Sequence, residues 1–254
     1  MPEDIGRILS AWPYDAQNSI RKVIDLDGAE KIQVRVDQGA FQGILQMELD
    51  GRPDGERPHD RTFALDFYKD ALQKHTVKQD TDSRFTLNRE ACAEIFDESR
   101  RLYERYVFLL QIQDYNRVVR DTERNMDVFR FVNQHAEHEE DRVNLERWWP
   151  YILRIHAVAR VMINVQNENY DSALDIIREA LKKIETLEDV DAEEFHIEKK
   201  RSQQALKELE AEIAKKRPLS RSEQLQKELT EAIEKEEFEK AAKLRDRIRA
   251  LEKG

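Results

Sequence analysis

The sequence predicts a mainly α-helical protein with a small β-hairpin near its N-terminus and a helical hairpin at its C-terminus. Of its 254 residues, 38% are charged and 39% are hydrophobic, and there are only seven Gly and six Pro. This composition is typical of long, exposed helices. Apolar residues recur every three or four positions from about residue 63 to 187, whereas strict alternation with polar residues is confined to residues 31–50.

Two alternating runs, KIQVRVD and ILQMELDG, predict the β-hairpin. Their apolar positions are Ile32, Val34 and Val36 in the first run and Leu45, Met47 and Leu49 in the second. A lone hairpin is marginal in water, so its apolar face must pack on helices. The GRPDGERP segment at 51–58 ends this region, and residues 1–30 are expected to be mostly helical, with an interruption at Trp12-Pro13.

One pattern occurs three times: an apolar helix end, a polar turn, an aromatic residue and a second amphipathic helix. The aromatic residues are Tyr115, Tyr170 and Phe238. We expect Tyr115 and Tyr170 to close the open ends of their two-helix hairpins, whereas Phe238 either closes its own hairpin or marks a docking surface. The second copy resembles a tetratricopeptide helix pair, through Asn169-Tyr170, Ala173-Leu174 and Ala180-Leu181. The resemblance covers residues 155–187 and implies a tetratricopeptide-like helical body without a regular array.

Three domains are predicted from these patterns. Residues 1–62 form an N-terminal helix and β-hairpin region, and residues 63–216 form a helical domain that contains the tetratricopeptide-like pair. A charged helix from about 191 to 216 ends this domain, because Pro218 cannot continue a helix. Residues 219–254 form the C-terminal helical hairpin.

The C-terminal hairpin has more apolar surface than it can bury. In its first helix, Leu225, Leu229, Ala232 and Ile233 lie within an arc of about 100°, but the apolar residues of the second helix spread over about 180°. Leu244, Ile248 and Leu251 can pair with the first helix. Phe238, Ala242 and the stem of Arg245 remain on an open edge. The sequence therefore predicts a docking surface there.

This segment resembles the UVR motif, which forms the C-terminal hairpin of UvrB and an internal segment of UvrC and also occurs in McsA regulators of protein quality control. The matching positions are Phe238, Glu239, Ala241, Ala242, Arg245 and Asp246. The resemblance implies that these six residues bind a protein partner, including a second UVR hairpin or a second copy of the chain, without catalysis. The stretch from Ile32 to Pro58 also resembles the opening of bacterial proteins that end in a UVR motif.

Composition and charge limit the functions and cellular locations that are expected. The net charge of −10 argues against direct binding of nucleic acid. The single cysteine, Cys92, is expected to pack in a reducing cytosol, and the N-terminus has no secretory pattern, so a cytoplasmic location is expected. No stretch approaches 18 apolar residues, so no membrane span is expected.

Four further features of the sequence have both a structural and a functional interpretation. His135, His138 and Glu139 could hold a metal but are expected to form a solvated acidic face. GRPDG could bind phosphate or a cation but is expected to be the turn that leaves the hairpin. Trp148-Trp149-Pro150 could stack a base but is expected to anchor the core. Four basic residues could contact phosphates but are expected to form a linker: Lys215, Lys216, Arg217 and Arg221.

The leading interpretation is a non-enzymatic bacterial adaptor that binds a protein partner through its C-terminal hairpin and needs no cofactor. The first alternative is an accessory factor of DNA repair that contacts nucleic acid or repair subunits. The second alternative is an enzyme or small-ligand binder at the junction of the β-hairpin and the helices. The sequence shows no set of catalytic residues that would come together at this junction.

Overall fold

The computed structural model describes residues 4–78, 84–219 and 221–251. The chain divides into two compact units, 1–209 and 210–254, and each is considered by itself. Whether the three predicted domains fold independently stays a prediction.

The fold is mainly helical, as predicted. The described helices are α1 Gly6–Ala11, α2 Ala64–Lys78, α3 Arg89–Gln111, α4 Tyr115–His135, α5 Glu139–Glu146, α6 Trp149–Gln166, α7 Tyr170–Glu185, α8 Glu193–Lys216, α9 Arg221–Glu234 and α10 Phe238–Leu251. The apolar periodicity of residues 63–187 therefore corresponds to α2–α7, and the predicted charged helix corresponds to α8.

The N-terminal sheet has three antiparallel strands: β1 Ile20–Ile24, β2 Glu30–Gln38 and β3 Phe41–Glu48. The predicted hairpin is confirmed as β2–β3, with Val34 opposite Leu45. The expectation that residues 1–30 are mostly helical was wrong, because β1 occupies part of this region. The adjacent charges Arg21 and Lys22 interrupt the apolar pattern of β1, and its strand character arises from pairing with β2.

The apolar face of the sheet packs on helices, as a marginal hairpin requires. Ile32 and Leu49 are fully buried in one cluster with Tyr106, Leu109 and Tyr115. Ile155 joins this cluster from α6. A second cluster lies among the helices and contains Leu65, Cys92, Ile95, Phe129, Val132 and Ile152. The first cluster attaches the sheet to the helices through Ile32 and Leu49, and the second holds the helices together.

The three predicted helical hairpins, α3–α4, α6–α7 and α9–α10, close with the same turn. Each turn places a non-glycine residue in the left-handed region: Gln113, Glu168 and Glu236, with φ between 57° and 60°. The amide of the following residue bonds to a carbonyl five residues back, at 2.8–2.9 Å: Asp114 to Leu109, Asn169 to Asn164 and Glu237 to Ala232. This is the Schellman arrangement of a helix C-terminus. The repeated sequence pattern thus corresponds to a repeated backbone structure.

The aromatic residue after each turn is buried to a different extent. Tyr115 is buried, Tyr170 is half-buried, and Phe238 is 70% exposed. The burial of Tyr115 fits the expected role of closing the hairpin, whereas the exposure of Phe238 fits the alternative of a docking surface. The backbone turn is the same in all three cases, so the difference comes from what packs around each hairpin.

Arg105 on α3 joins the helices to the sheet. Its guanidinium is buried and donates to the two carboxylate oxygens of Asp121 on α4, at 2.6 and 2.9 Å. Its remaining nitrogen donates to the backbone carbonyls of Glu48 and Gly51, at 2.7 and 2.8 Å. These bonds satisfy a charge that would be costly to bury alone.

The GRPDG segment is the predicted exit turn, and it packs against α3. Arg52 is buried and donates to Asp54 at 3.0 Å and to Asp97 at 3.0 Å. Glu98, one residue further along α3, accepts a hydrogen bond from the amide of Ala64 at 2.5 Å. Its other carboxylate oxygen is buried without a hydrogen-bond partner among the described residues. Burial raises the pKa of Glu98 to about 7.

The graded burial of the two tyrosines predicts graded stability effects. Tyr115→Ala should lower the free energy of unfolding by about 3 kcal/mol or more, as truncation of a buried aromatic residue does. Tyr170→Ala should lower it by roughly half as much, because less surface is buried there. Urea denaturation of both variants measures these values. Equal losses would show that burial does not determine the cost at this turn.

The raised pKa of Glu98 predicts that its contribution to stability depends on pH. The folded protein holds this proton up to about pH 7, whereas the unfolded chain releases it near its usual pKa of about 4.3. The contribution is therefore favourable below the unfolded value and is lost as the pH rises through the folded value. Glu98→Gln should reduce the stability difference between acidic and mildly basic solution by on the order of 2 kcal/mol.

The control for this prediction is Glu104→Gln, which removes an exposed carboxylate from the same helix. Chemical denaturation of wild type and both variants at a series of pH values gives the three profiles. An unchanged profile in Glu98→Gln would show that Glu98 is ionised in the folded protein.

Candidate protein-docking site

The hairpin α9–α10 has its own small core. Leu225 and Ala232 of α9 are buried against Ala241, Leu244 and Ile248 of α10, and Leu229 packs beside them. The buried positions of α10 are three and four residues apart, so they lie on one face of the helix. We call this cluster the seam. The predicted pairing of Leu244 and Ile248 with the first helix is confirmed, and the side chain of Leu251 lies outside the described residues.

A second stripe of α10 points away from the seam. Phe238, Ala242 and Arg245 follow each other at intervals of four and three residues, and all three are exposed. We call these three residues the docking stripe. Phe238 is not a member of the seam, and 70% of its surface is exposed.

The Phe238 ring borders an open depression of about 600 Å³. The depression is lined by Glu236, Glu237, Phe238, Glu239, Lys240 and Lys243. Lys240 donates to Glu237 at 3.1 Å across this surface. An aromatic ring surrounded by side chains of both charges can bind an apolar anchor and orient it by its polar rim.

Five of the six predicted partner-binding residues are exposed: Phe238, Glu239, Ala242, Arg245 and Asp246. Ala241 is the exception, since it is buried in the seam against α9. Its small side chain lets the two helices approach, so its role is internal to the hairpin. The Arg245–Asp246 pair is loose, with 4.0 Å between Nε and Oδ1, which leaves both groups accessible.

Ile233 belongs to the exposed surface although the sequence suggested otherwise. Its position on α9 falls within the predicted inward arc, yet its side chain is 54% exposed. The seam ends at Ala232, and Ile233 is only one residue away from the turn. The helical projection could not predict the exposure of Ile233, because it gives the direction of a side chain and not the point along α9 where contact with α10 ends.

The charges of the hairpin are balanced but unevenly distributed. Residues 221–254 contain nine acidic and nine basic residues, so the net charge of −10 lies in the rest of the chain. Acidic residues concentrate around the turn, at Glu234, Glu236, Glu237 and Glu239, and arginines lie towards the end of α10, at Arg245, Arg247 and Arg249. A neutral surface offers no bulk attraction to nucleic acid.

The histidines considered for a metal have different surroundings. His135 ends α4 and packs against the rings of Phe85 and Phe131, with centroids 5.5 and 4.7 Å away. Burial lowers its pKa. His138 is the N-terminal cap residue of α5. In the described ranges, no group of three or more His, Cys, Asp or Glu residues is arranged to hold a metal.

The tryptophan segment, the cysteine and part of the basic linker make structural contacts. Pro150 is buried in the first turn of α6, and the Trp149 ring is 5.3 Å from that of Phe129, so these two residues anchor the core as predicted. Trp148 does not, because it is 40% exposed. Cys92 is fully buried, and burial raises its thiol pKa to about 11, which makes the thiol unreactive. The expected linker is shorter than predicted, because Lys215 and Lys216 end α8 and Arg221 begins α9. Lys216 pairs with Glu212 at 2.6 Å, and Arg217 pairs with Glu223.

The contrast between adjacent alanines of α10 yields a prediction. Ala241→Glu would bury a carboxylate in the seam and should destabilise the hairpin by about 2 kcal/mol or more. Ala242→Glu should leave the hairpin folded, because this position faces solvent. Hydrogen exchange of the α9 and α10 amides in the full chain measures both effects. Equal protection of the amides in the two variants would contradict the placement of Ala241 in the seam.

Comparison with known proteins supports the assignment of the hairpin. The family model of the UvrB/uvrC motif matches residues 221–254, which contain α9, the turn and α10. No curated protein and no solved structure matches the chain. No helix in the described part of the chain is both long and apolar enough to cross a membrane. The chain therefore carries a UVR motif at its C-terminus, and this motif is the hairpin that exposes the docking stripe.

Proposed function

We propose that the chain is a non-enzymatic cytoplasmic adaptor that binds a protein partner through the docking stripe of its UVR hairpin. The observation that carries this proposal is the exposure of Phe238 on a hairpin whose seam is complete without it. A protein gains nothing in stability from an aromatic ring held in water. A partner that covers the ring gains about 1.5–3 kcal/mol from burying it.

The arrangement around Phe238 supports a helix as the binding element. Ala242 is small, so a second helix can approach the backbone of α10 closely beside the ring. Arg245 provides an apolar stem and a charged head one turn further along, and such aromatic and arginine residues dominate binding energy in protein interfaces. The expected ligand is an amphipathic helix that places an apolar residue in the depression beside Phe238.

The charge distribution of the hairpin favours one orientation of the bound helix. A partner helix with its own acidic and basic ends would bind best when its basic end lies near the acidic turn of the hairpin. A second UVR hairpin has this property when it binds antiparallel to the first. Both a hairpin of another protein and that of a second copy satisfy the requirement.

The repair-accessory alternative would use the basic segment before α9 to bind nucleic acid. Lys216 and Arg217 already have acidic partners there. Nucleic acid would have to displace these carboxylates before its phosphates could pair with the two cations. The neutral hairpin that follows adds no attraction. These contacts favour the protein-binding function.

Binding should depend on Phe238. In affinity capture from cell extract, the proteins retained by wild type should be lost with full-length Phe238→Ala. Titration of a recovered partner should show binding at least about tenfold weaker, equivalent to roughly 1.4 kcal/mol or more. Lys227→Ala is the control, because Lys227 is an exposed α9 residue that does not line the depression.

Nuclease treatment of the extract separates the two functions. Retention that survives nuclease and is lost with Phe238→Ala supports the adaptor. Retention that disappears with nuclease supports the repair-accessory alternative. Partner binding that is indifferent to Phe238→Ala would contradict the docking stripe.

A further inference from the structure

Strand β3 lies at one edge of the three-stranded sheet, and alternate residues of it point their backbone groups away from the sheet. The amide of Leu49 bonds to the carbonyl of Glu30 at 3.2 Å, in continuation of the β2–β3 register. Odd-numbered residues of β3 therefore bond to β2. Even-numbered residues direct their N–H and C=O groups outward, because the pattern alternates in an antiparallel ladder.

One end of this edge is already used. The outward amide of Glu48 bonds to the carbonyl of Pro53 at 2.9 Å, and the outward carbonyl of Glu48 accepts from Arg105 at 2.7 Å. The outward groups that remain belong to Gln42, Ile44 and Gln46. No bond to them is present within the described ranges. These three residues are symmetric about Ile44.

The side chains of this edge are uncharged and partly apolar. Residues 41–47, FQGILQM, contain no charge in a chain that is 38% charged. Phe41 is 78% exposed and Leu45 is 52% exposed, although both lie on the face that buries Ile32. Edge strands normally avoid pairing by carrying charged residues or proline. Residues 41–47 of β3 have neither, and the one charged residue of the strand, Glu48, lies at its end and is ion-paired with Lys31.

The opposite edge is different. Strand β1 has five residues and includes Arg21 and Lys22. Lys22 forms an ion pair with Asp114 at 2.5 Å. These charges protect β1 from pairing in the usual way, so an added strand is expected at β3 alone.

We propose that the β3 edge binds the β3 edge of a second copy of this chain, so that two sheets form one six-stranded antiparallel sheet. A two-fold axis passes beside Ile44, which lies opposite Ile44 of the second copy. Gln42 then lies opposite Gln46 of the second copy. This pairing uses all three outward residues on each strand and forms about six backbone hydrogen bonds.

The side chains fit the same register. Phe41 lies opposite Met47 of the second copy, and Leu45 lies opposite Gly43, so apolar side chains meet on the apolar face. These are non-hydrogen-bonded pairs, in which side chains approach most closely. A shift by one residue would place apolar side chains opposite polar ones. A shift by two would leave one outward residue of each strand unpaired. The pairing is thus self-complementary in one register.

The first test is the oligomeric state of the full-length chain by sedimentation equilibrium. Wild type should be a dimer. Ile44→Pro removes one outward N–H and leaves the β2–β3 ladder intact, because that N–H bonds nothing within the sheet. This variant should weaken the dimer at least about tenfold. Ile24→Pro removes an outward N–H from β1 in the same way and should leave the dimer unchanged.

A further β3 variant and a variant of the C-terminal hairpin show whether the dimer depends on the β3 edge. Leu45→Lys keeps every backbone group and places a charge beside the pairing strand, so it should also weaken the dimer. Phe238→Ala should retain the dimer, because the β3 pairing does not involve the docking stripe. A monomeric wild type, a dimer that both β3 variants retain, or a dimer lost only with Phe238→Ala would each overturn the proposal.

The register has its own test. A chain carrying both Gly43→Cys and Leu45→Cys should form a covalent dimer under mild oxidation, because each new thiol lies opposite the other on the second strand. A Cβ at position 43 meets no atom within 4 Å, so the substitution fits. The pair Phe41→Cys and Gly43→Cys is the control and should not cross-link. Cross-linking of the control in place of the test pair would overturn the register.

Discussion

The buried guanidinium of Arg105 is the constraint on which the N-terminal unit depends. It joins α3 to α4 through Asp121 and holds the end of β3 and the following turn through two backbone carbonyls. An uncompensated charge in this position would be strongly destabilising. These bonds therefore hold the end of β3 and the following turn against α3 and α4. The same contact uses the outward carbonyl of Glu48 and so determines which part of the β3 edge is left for another strand.

The three helical hairpins show how one local structure acquires different roles. The turns at Gln113, Glu168 and Glu236 have the same backbone geometry. Around the first turn, the sheet and α6 cover Tyr115. The hairpin α9–α10 has a core of its own residues, and Phe238 lies outside it. An aromatic residue that stabilises one hairpin is thus available for binding in another.

The two proposed surfaces differ in chemistry. The β3 edge offers backbone hydrogen bonds and selects a matching strand, whereas the docking stripe offers an aromatic anchor and selects a helix. If both operate, each dimer carries two UVR hairpins. A partner with two binding segments would then bind more tightly than either hairpin alone allows, provided that its segments can reach both hairpins.

The sequence by itself determined the helical class, the β2–β3 hairpin, the repeated turn and the UVR hairpin, because these depend on local periodicity and turn residues. Tertiary structure decided the rest. Strand β1 forms through pairing with β2, and Ala241 is buried by the opposite helix. Phe238 is exposed because it lies outside the core that α9 and α10 form. Burial depends on which surfaces meet, and a residue's own sequence neighbourhood does not contain that information.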